Sequence, residues 1–243
     1  MEYFLEPRDL VRLANARKEE YAAADPFPHV VIDDFLSPAQ VDEILADFPP
    51  SDASFWTNYH HPTTIKQDTT PDMLAEMRLP PSIRNWMWQL NSVPILAFLT
   101  TLTGIRGLLP DPYLFGGSLH QIPPGGLLKI HADFNFHQLT GLRRRLNMLI
   151  YLNHDWDPSY GGDLELWDCE MTQCVQRIAP LAGRCVIFNT DATSNHGHPE
   201  PLRCPPDRTR KSIALYYYTI DPDHDPRGRI RNTTWRRRPG ETY

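Results

Sequence analysis

The order of patterns along this 243-residue sequence predicts a mainly β fold of the jelly-roll type, supported by N-terminal helices. Helical periodicity dominates residues 1–110, whereas short runs rich in β-branched and aromatic residues alternate with Gly and Pro turns over 111–221. Short strands at this spacing are typical of an antiparallel sandwich or jelly roll. The candidate strands are 113–122, 126–132, 145–152, 163–167, 173–179, 183–189 and 210–220.

The helical half begins with apolar residues at helical spacing after Pro7. A short buried strand is predicted at 29–35, and Ser37 with Gln40 then forms a capping box that starts the next helix. A later helix is expected to end at Gly104. This order fits a single domain over residues 1–243, in which the helices support one face of the jelly roll.

Composition excludes several classes of protein. The net charge of −6 argues against a nucleic-acid partner for the whole chain, and the absence of a long apolar run argues against a membrane span. The first residues are too acidic for a signal peptide, so we expect a cytoplasmic protein. The cysteines form no C-x-x-C pair and are expected to be reduced thiols. They are Cys169, Cys174, Cys185 and Cys204.

Residues 51–71 are polar and aromatic and show no period. A long irregular segment inside a compact domain is often a lid or a binding loop. We therefore predict a mobile lid, in which Trp56, Tyr59 and Lys66 contact the substrate. The alternative is an exposed connector between two helices.

The last stretch, residues 222–243, is rich in arginine. We interpret this basic tail as a solvated and partly frayed terminus, because charge runs at chain ends are usually solvated.

The central chemical pattern is the pair His131 and Asp133, followed 65 positions later by His196. Residues two apart on a strand point to the same face, so His131 and Asp133 can share one metal ion. A histidine from a distant strand would complete the facial triad that is typical of non-haem Fe(II) oxygenases. His198 is an alternative third ligand, because it would face the same side as His196. An H-x-D pair alone is a weak signal.

Six sequence elements occur in a fixed order around this pair. They are 131–133, 149–156, 161–166, 182–188, 194–199 and 209–218. Together they resemble the prolyl-4-hydroxylase-like Fe(II)/2-oxoglutarate dioxygenases over about residues 119–221, with a weaker match at 27–48. The resemblance implies a double-stranded β-helix core. It also implies Fe(II) held by His131, Asp133 and His196, with 2-oxoglutarate and O2 as cosubstrates.

The same resemblance assigns a pocket for 2-oxoglutarate. Arg210 matches the arginine that anchors the distal carboxylate, and Tyr151 matches a position that often offers a phenol to it. A guanidinium suits this role because it binds a carboxylate through two hydrogen bonds. Lys211 is the alternative, but on a strand it would face away from Arg210 and Ser212. Gln121 is a further candidate contact to the cosubstrate.

The activity implied is hydroxylation of an unactivated C–H bond, coupled to conversion of 2-oxoglutarate and O2 into succinate and carbon dioxide. Asp133 favours hydroxylation, since related halogenases carry Ala or Gly at that position. Ascorbate is a candidate reductant. Many prolyl hydroxylases have a tyrosine near Gln121, which is missing here. A peptide substrate is therefore less favoured.

We expect the substrate to be an amino acid or other small metabolite, with His120 and Asn135 as further candidate contacts. One alternative is a prolyl or other side chain of a protein. Another is a non-enzymatic, cupin-like metal-binding protein, against which Arg210 and Tyr151 argue, since it would need no carboxylate anchor. Oxidative demethylation of nucleic acid is favoured only by the arginine-rich tail.

Overall fold

The computed structural model describes residues 3–69, 74–221 and 231–241. Helices dominate the first half of that part of the chain. They are α1 (Pro7–Ala23), α2 (Pro38–Ala46), α3 (Ala75–Arg78), α4 (Pro81–Leu90) and α5 (Val93–Thr103). The strands are β1 (His29–Ile32), β2 (Trp56–His61), β3 (Thr64–Thr69), β4 (Ser118–Ile122), β5 (Leu127–Ala132), β6 (Arg143–Tyr151), β7 (Leu164–Trp167), β8 (Cys174–Ile178), β9 (Cys185–Asn189), β10 (Asn195–His198), β11 (Arg210–Thr219) and β12 (Thr234–Trp235).

The strands form one antiparallel, nearly closed sheet in the order β1-β9-β6-β11-β4-β3-β5-β10-β7-β8. Strand β3 pairs with β4 at one end and with β5 at the other, and so joins the two halves of the sheet. Strand β2 pairs with β3, and β12 pairs with β5. The predicted jelly roll with N-terminal helices is therefore confirmed.

The helices cover one face of this sheet. Apolar side chains of the helices, such as Leu10, Trp86 and Phe98, share one buried cluster with Leu146 of β6 and Ile213 of β11. Burying a large apolar side chain contributes about 1.5–3 kcal/mol. The helical face therefore stabilises the sheet and leaves the opposite face to polar residues. At the start of α2, Ser37 and Gln40 form the predicted capping box.

The prediction that residues 51–71 lack regular structure is wrong for the residues that the structure describes there, 51–69, and the lid role of the segment stays a prediction. Residues 56–69 form the β2–β3 hairpin, in which Trp56 pairs with Thr69 and His61 with Thr64. Both faces of this hairpin carry polar residues, so the alternation that usually marks a strand is missing from its sequence. Residues 70 and 71 lie outside the described residues.

The interpretation of the C-terminal stretch as a frayed tail is wrong for residues 231–241. Thr234 pairs with Ala132, and Trp235 pairs with His131, so this segment extends the edge of β5. Glu241 forms an ion pair with Lys129. Residues 222–230 and 242–243 lie outside the described residues.

The four cysteines are free thiols, as expected. Among the described residues, no helix combines the length and the apolar character needed to span a bilayer.

Candidate active site

Three metal-binding side chains meet inside the jelly roll. His131 lies on β5, Asp133 lies one residue beyond the end of β5, and His196 lies on β10 opposite His131. Nε2 of His131 is 3.6 Å from one carboxylate oxygen of Asp133, and Nε2 of His196 is 3.5 Å from the other. The three ligand atoms lie within 4.8 Å of one another, and all three residues are buried. This donor set leaves coordination positions open and suits non-haem Fe(II).

Backbone carbonyls orient both imidazoles. Nδ1 of His131 donates to the carbonyl of Lys129 at 2.9 Å, and Nδ1 of His196 donates to the carbonyl of Ser194 at 2.9 Å. Because a carbonyl can only accept, Nδ1 carries the proton and Nε2 offers its lone pair to a metal. Burial lowers the pKa of His196 to about 4. Its ring is therefore neutral near pH 7, as metal binding requires.

Arg144 and Asn147 keep Asp133 ionised. Nη2 of Arg144 lies 3.0 Å from Oδ2 of Asp133, and Nδ2 of Asn147 donates to the same oxygen at 2.8 Å. Burial alone would raise the pKa of Asp133, but Arg144 and the two neighbouring imidazoles hold it well below its usual range. The guanidinium of Arg144 lies 3.4 Å from the ring centre of Tyr216. The site therefore presents a carboxylate before any metal binds.

Arg210 is a buried cation, and no carboxylate in the described part of the chain forms an ion pair with it. Its Nε donates to the carbonyl of Gly162 at 2.8 Å, and Nη2 donates to the hydroxyl of Tyr151 at 3.3 Å. Burial raises the pKa of Tyr151, so the phenol keeps its proton. A buried cation without a partner is unfavourable until an anion joins it. This end of the cavity therefore fits the distal carboxylate of 2-oxoglutarate.

Gly162 has to be a glycine for Arg210 to lie where it does. Its φ is +80°, a conformation that L side chains rarely adopt. A Cβ here would lie 2.6 Å from Leu202 and 3.1 Å from Cδ of Arg210. Gly162, in the sequence element at 161–166, thus makes room for the side chain of Arg210 and accepts its Nε–H.

Strands β4 and β11 present alternate residues to the cavity. Arg210, Ser212 and His120 line it, whereas Lys211 points to the opposite face and donates to the hydroxyl of Thr209 at 2.7 Å. Gln121 pairs with Lys211 and shares its orientation. The prediction that Gln121 contacts the cosubstrate is therefore wrong, because the alternation of β4 turns its side chain away from the metal.

The triad and Arg210 open into one cavity of about 280 Å³. We call the part built by β4, β5, β6, β10 and β11 the floor. We call the β2–β3 hairpin together with residues 231–241 the rim. Tyr59, Lys66 and Asp68 line the cavity from the hairpin, and Thr233 and Trp235 line it from the C-terminal segment.

The hairpin carries a buried ion pair that faces the cavity. Nζ of Lys66 lies 3.0 Å from Oδ2 of Asp68 and 5.5 Å from the ring centre of Tyr59. Oδ1 of Asp68 is buried and has no hydrogen-bond partner in the described part of the chain, while the hydroxyl of Tyr59 interacts with the same carboxylate group. Burial alone would lower the pKa of Lys66, but Asp68 raises it above its usual value, so the ammonium stays charged. Tyr59 and Lys66 thus lie where a substrate contact is possible.

Trp56 does not reach the cavity, and the prediction that it contacts the substrate is wrong. Its side chain is 6% exposed, its Nε1 donates to the carbonyl of Pro50 at 2.8 Å, and its ring packs against Phe48 and Phe55. Trp56 starts β2 on the side that faces the helices. The ring therefore packs in the apolar cluster between the helices and the sheet, and not in the cavity.

The other two candidate substrate residues differ from each other. Asn135 is wrong as a substrate contact: its Oδ1 accepts the backbone N–H of Arg231 at 2.7 Å, so it holds the C-terminal segment in place and does not line the cavity. His120 does line the cavity, and its Nε2 lies 3.1 Å from the carbonyl of Gly116. Burial lowers the pKa of His120 well below its usual value, which keeps the ring neutral.

Several polar or aromatic residues that line the cavity were not assigned from the sequence, among them Asp68, Arg144 and Trp235. Asp68 lies two residues from Lys66 on the same strand face, and that spacing could have indicated it. His198 was considered only as an alternative metal ligand. Arg144 is hidden in a run of three arginines that resembles a solvated surface. No local signal marks Trp235.

Residues 117–218 match the model of the 2OG-Fe(II) oxygenase superfamily, and this span contains the triad, Tyr151 and Arg210. This segment belongs to the 2OG-Fe(II) oxygenase superfamily. This oxygenase therefore uses Fe(II) and 2-oxoglutarate, as the sequence motifs predicted. The cupin-like, non-enzymatic alternative is set aside on the same match. Comparison with curated protein sequences gave no match.

Solved structures share the fold of this oxygenase. A prolyl-4-hydroxylase from Pseudomonas putida is 18% identical with a TM-score of 0.59, and the alignment covers 86% of this chain and 100% of that chain. A prolyl hydroxylase from Trichoplax adhaerens, bound to a hypoxia-inducible-factor peptide, is 19% identical with a TM-score of 0.61, covering 87% and 91%. HygX from Streptomyces hygroscopicus, bound to nickel, 2-oxoglutarate and hygromycin B, is 14% identical with a TM-score of 0.53, covering 80% and 84%.

Proposed function

We propose that this oxygenase hydroxylates an unactivated C–H bond of a small substrate that carries both a cationic and an anionic group, such as an amino acid. The proposal rests on one observation: the rim carries a positive and a negative side chain side by side. Lys66 and Asp68 form a buried ion pair beside the cavity, and Oδ1 of Asp68 has no partner. An ammonium fits the free oxygen of Asp68, and a carboxylate fits Lys66.

A second unpartnered atom supports the same substrate chemistry. Nη1 of Arg144 is buried without a hydrogen-bond partner, while Nη2 of the same guanidinium holds Asp133. Arg144 lines the cavity next to the triad. A polar substrate group that accepts from Nη1 would hold the reacting carbon close to the metal, which is the positioning that this chemistry needs.

The residues of the floor receive the following roles in this proposal. His131, Asp133 and His196 hold Fe(II), which supplies O2 activation when it is bound. Arg210 and Tyr151 bind the distal carboxylate of 2-oxoglutarate, and Ser212 lies beside them. The cavity of about 280 Å³ lies near the lower end of the range of roughly 300–1,000 Å³ for small-molecule sites. That size favours a small substrate.

A protein side chain is the second candidate substrate. The fold likeness to two prolyl hydroxylases favours it, one of them bound to a peptide. HygX, bound to hygromycin B, shows that the fold also occurs with a small-molecule ligand. In an enzyme that acts on peptides, the rim would bind the peptide backbone. The backbone carries no charge that could pair with the buried side chains of Lys66 and Asp68.

The test is a substrate panel of free amino acids, short peptides and oligonucleotides, assayed with Fe(II), 2-oxoglutarate and ascorbate. Succinate release and addition of one oxygen atom to the substrate are measured together. We expect an amino acid or a similar zwitterion to give close to one hydroxylated product per succinate. Asp133→Ala protein is the matched background. Tight coupling with a peptide and none with any small molecule would contradict the proposal.

A further inference from the structure

His198 is a buried histidine in the active-site cavity whose ring nitrogens are both unpaired. It is 3% exposed, and neither Nδ1 nor Nε2 has a hydrogen-bond partner within residues 3–69, 74–221 and 231–241. It lies two residues after His196 on β10 and lines the same cavity as the triad and Arg210. Among the described residues, the group able to hold a metal contains His196 and not His198. His198 therefore has no role in the site described so far.

An imidazole in either neutral tautomer carries one N–H donor and one acceptor nitrogen. Buried polar groups are nearly always paired, so a buried imidazole with both nitrogens free is complementary to a ligand that forms hydrogen bonds. No described residue forms a hydrogen bond with either nitrogen. The nearby ionisable groups that act on His198 are Arg210, His131 and Lys66, none of which is a carboxylate.

Arg210 shares this lack of an acidic partner. Its guanidinium is held by Gly162 and Tyr151 and still has N–H groups to donate. Two buried donors that line one cavity, neither of them paired with a carboxylate in the described part of the chain, are complementary to the carboxylate of a ligand. The ligand that brings a carboxylate to Arg210 is 2-oxoglutarate.

We propose that His198 donates a hydrogen bond to the distal carboxylate of 2-oxoglutarate, which it shares with Arg210. His198 is thus a cosubstrate-binding residue, placed on the strand that also supplies the third metal ligand. The proposal rests on the role of Arg210 given above. One strand then couples the position of the metal to the position of the cosubstrate, because His196 and His198 are separated by a single residue.

The experiment is an anaerobic titration of 2-oxoglutarate into Fe(II)-loaded protein, followed by calorimetry and by the visible charge-transfer absorption of the complex. His198→Leu removes the donor at similar size, and His198→Gln keeps an N–H donor. We expect the Kd for 2-oxoglutarate to rise about tenfold in the Leu variant, the size of one hydrogen bond to a charged group. The Gln variant should be less affected. Iron stoichiometry should stay at the wild-type value in both.

The control variant is His29→Gln. His29 is also buried, but it lies outside the cavity, with Nδ1 2.9 Å from the carbonyl of Phe27. Its 2-oxoglutarate affinity should match that of the wild type. A second ligand locates the contact: 2-oxobutyrate has the keto acid group but lacks the distal carboxylate. Wild-type and His198→Leu proteins should bind 2-oxobutyrate equally weakly.

Three results would overturn the proposal. The first is wild-type affinity for 2-oxoglutarate in both His198 variants. The second is an equal loss of affinity for 2-oxobutyrate, which would move the contact away from the distal carboxylate. The third is loss of iron from the His198→Gln variant. If Arg210→Ala left 2-oxoglutarate binding unchanged while His198→Leu weakened it, the role of Arg210 would fail, and the proposal that the two residues share the distal carboxylate would fail with it.

Discussion

The floor and the rim of the cavity differ in how their residues are held. In the floor, hydrogen bonds within the jelly roll orient the ligands, as when the carbonyl of Lys129 fixes His131. In the rim, two segments far apart in sequence meet over the metal, and Trp235 lies 5.3 Å from the ring centre of His131. The floor strands that carry the triad and Arg210 lie within the family match at 117–218, and the rim lies outside it. The chemistry is therefore common to the superfamily, and we propose that the rim selects the substrate.

The largest expected effect is the loss of a metal ligand from the floor. Asp133→Ala should abolish turnover and weaken Fe(II) binding by more than the ~10–100-fold that changes to outer partners of a ligand typically cause. Metal stoichiometry and succinate release measure this. Asp42→Asn is the matched control, since the side chain of Asp42 is 68% exposed. Full iron binding by the Asp133 variant would remove Asp133 from the triad.

The second prediction concerns the face of the hairpin that packs against the helices. Trp56 packs in the core, so Trp56→Ala should lower the free energy of unfolding by about 3–5 kcal/mol, as truncation of a buried aromatic residue does. Chemical denaturation measures it. Trp88→Ala should change stability little, because Trp88 is 50% exposed. If Trp56→Ala left the free energy of unfolding unchanged and weakened substrate binding, Trp56 would be a substrate contact, as first predicted.

Arg210→Ala tests the proposed binding of 2-oxoglutarate at the floor. Breaking a buried charged hydrogen-bonded pair costs roughly 2–5 kcal/mol, so the apparent constant for 2-oxoglutarate should rise at least about tenfold. Lys211→Ala should have little effect, since Lys211 points to the opposite face. The reverse pattern in the two variants would assign the anchor to Lys211.

Lys66→Met tests the charge of the rim without removing the length of the side chain. We expect a several-fold higher KM for the zwitterionic substrate and an unchanged constant for 2-oxoglutarate, because Lys66 lies on the hairpin and not beside Tyr151. Gln67→Ala is the control on the same strand, since Gln67 does not line the cavity. If both variants changed the KM equally, the effect would come from the fold of the hairpin.

The smallest effect is expected at the C-terminal segment. Trp235→Ala should lower the amount of product formed per succinate, because a wall of the cavity that excludes water would be opened. Iron and 2-oxoglutarate binding should stay normal. Thr234→Ala is the neighbouring control, because Thr234 does not line the cavity. If Trp235→Ala formed as much product per succinate as the wild type, only the hairpin, and not the C-terminal segment, would act on the substrate.

The residues of the floor were largely predictable because short-range patterns encode them. Strand alternation places His131 beside Asp133 and Arg210 beside Ser212, and the order of the motifs supplies His196. Gln121 was misplaced by the same reasoning, since only the register of β4 against β11 shows which face it occupies. The hairpin was missed because polar residues on both faces remove the alternation that marks a strand.

The sequence was thus sufficient for the jelly roll and the metal triad, since strand alternation places His131 beside Asp133 and the order of the motifs supplies His196. It also singled out Arg210 as the candidate anchor. The contact of Trp235 with His131, the burial of Trp56 and the free nitrogens of His198 required the folded chain. Each of these arises from contacts between segments far apart in sequence, whose pairing depends on the summed packing of the whole sheet and not on any local period.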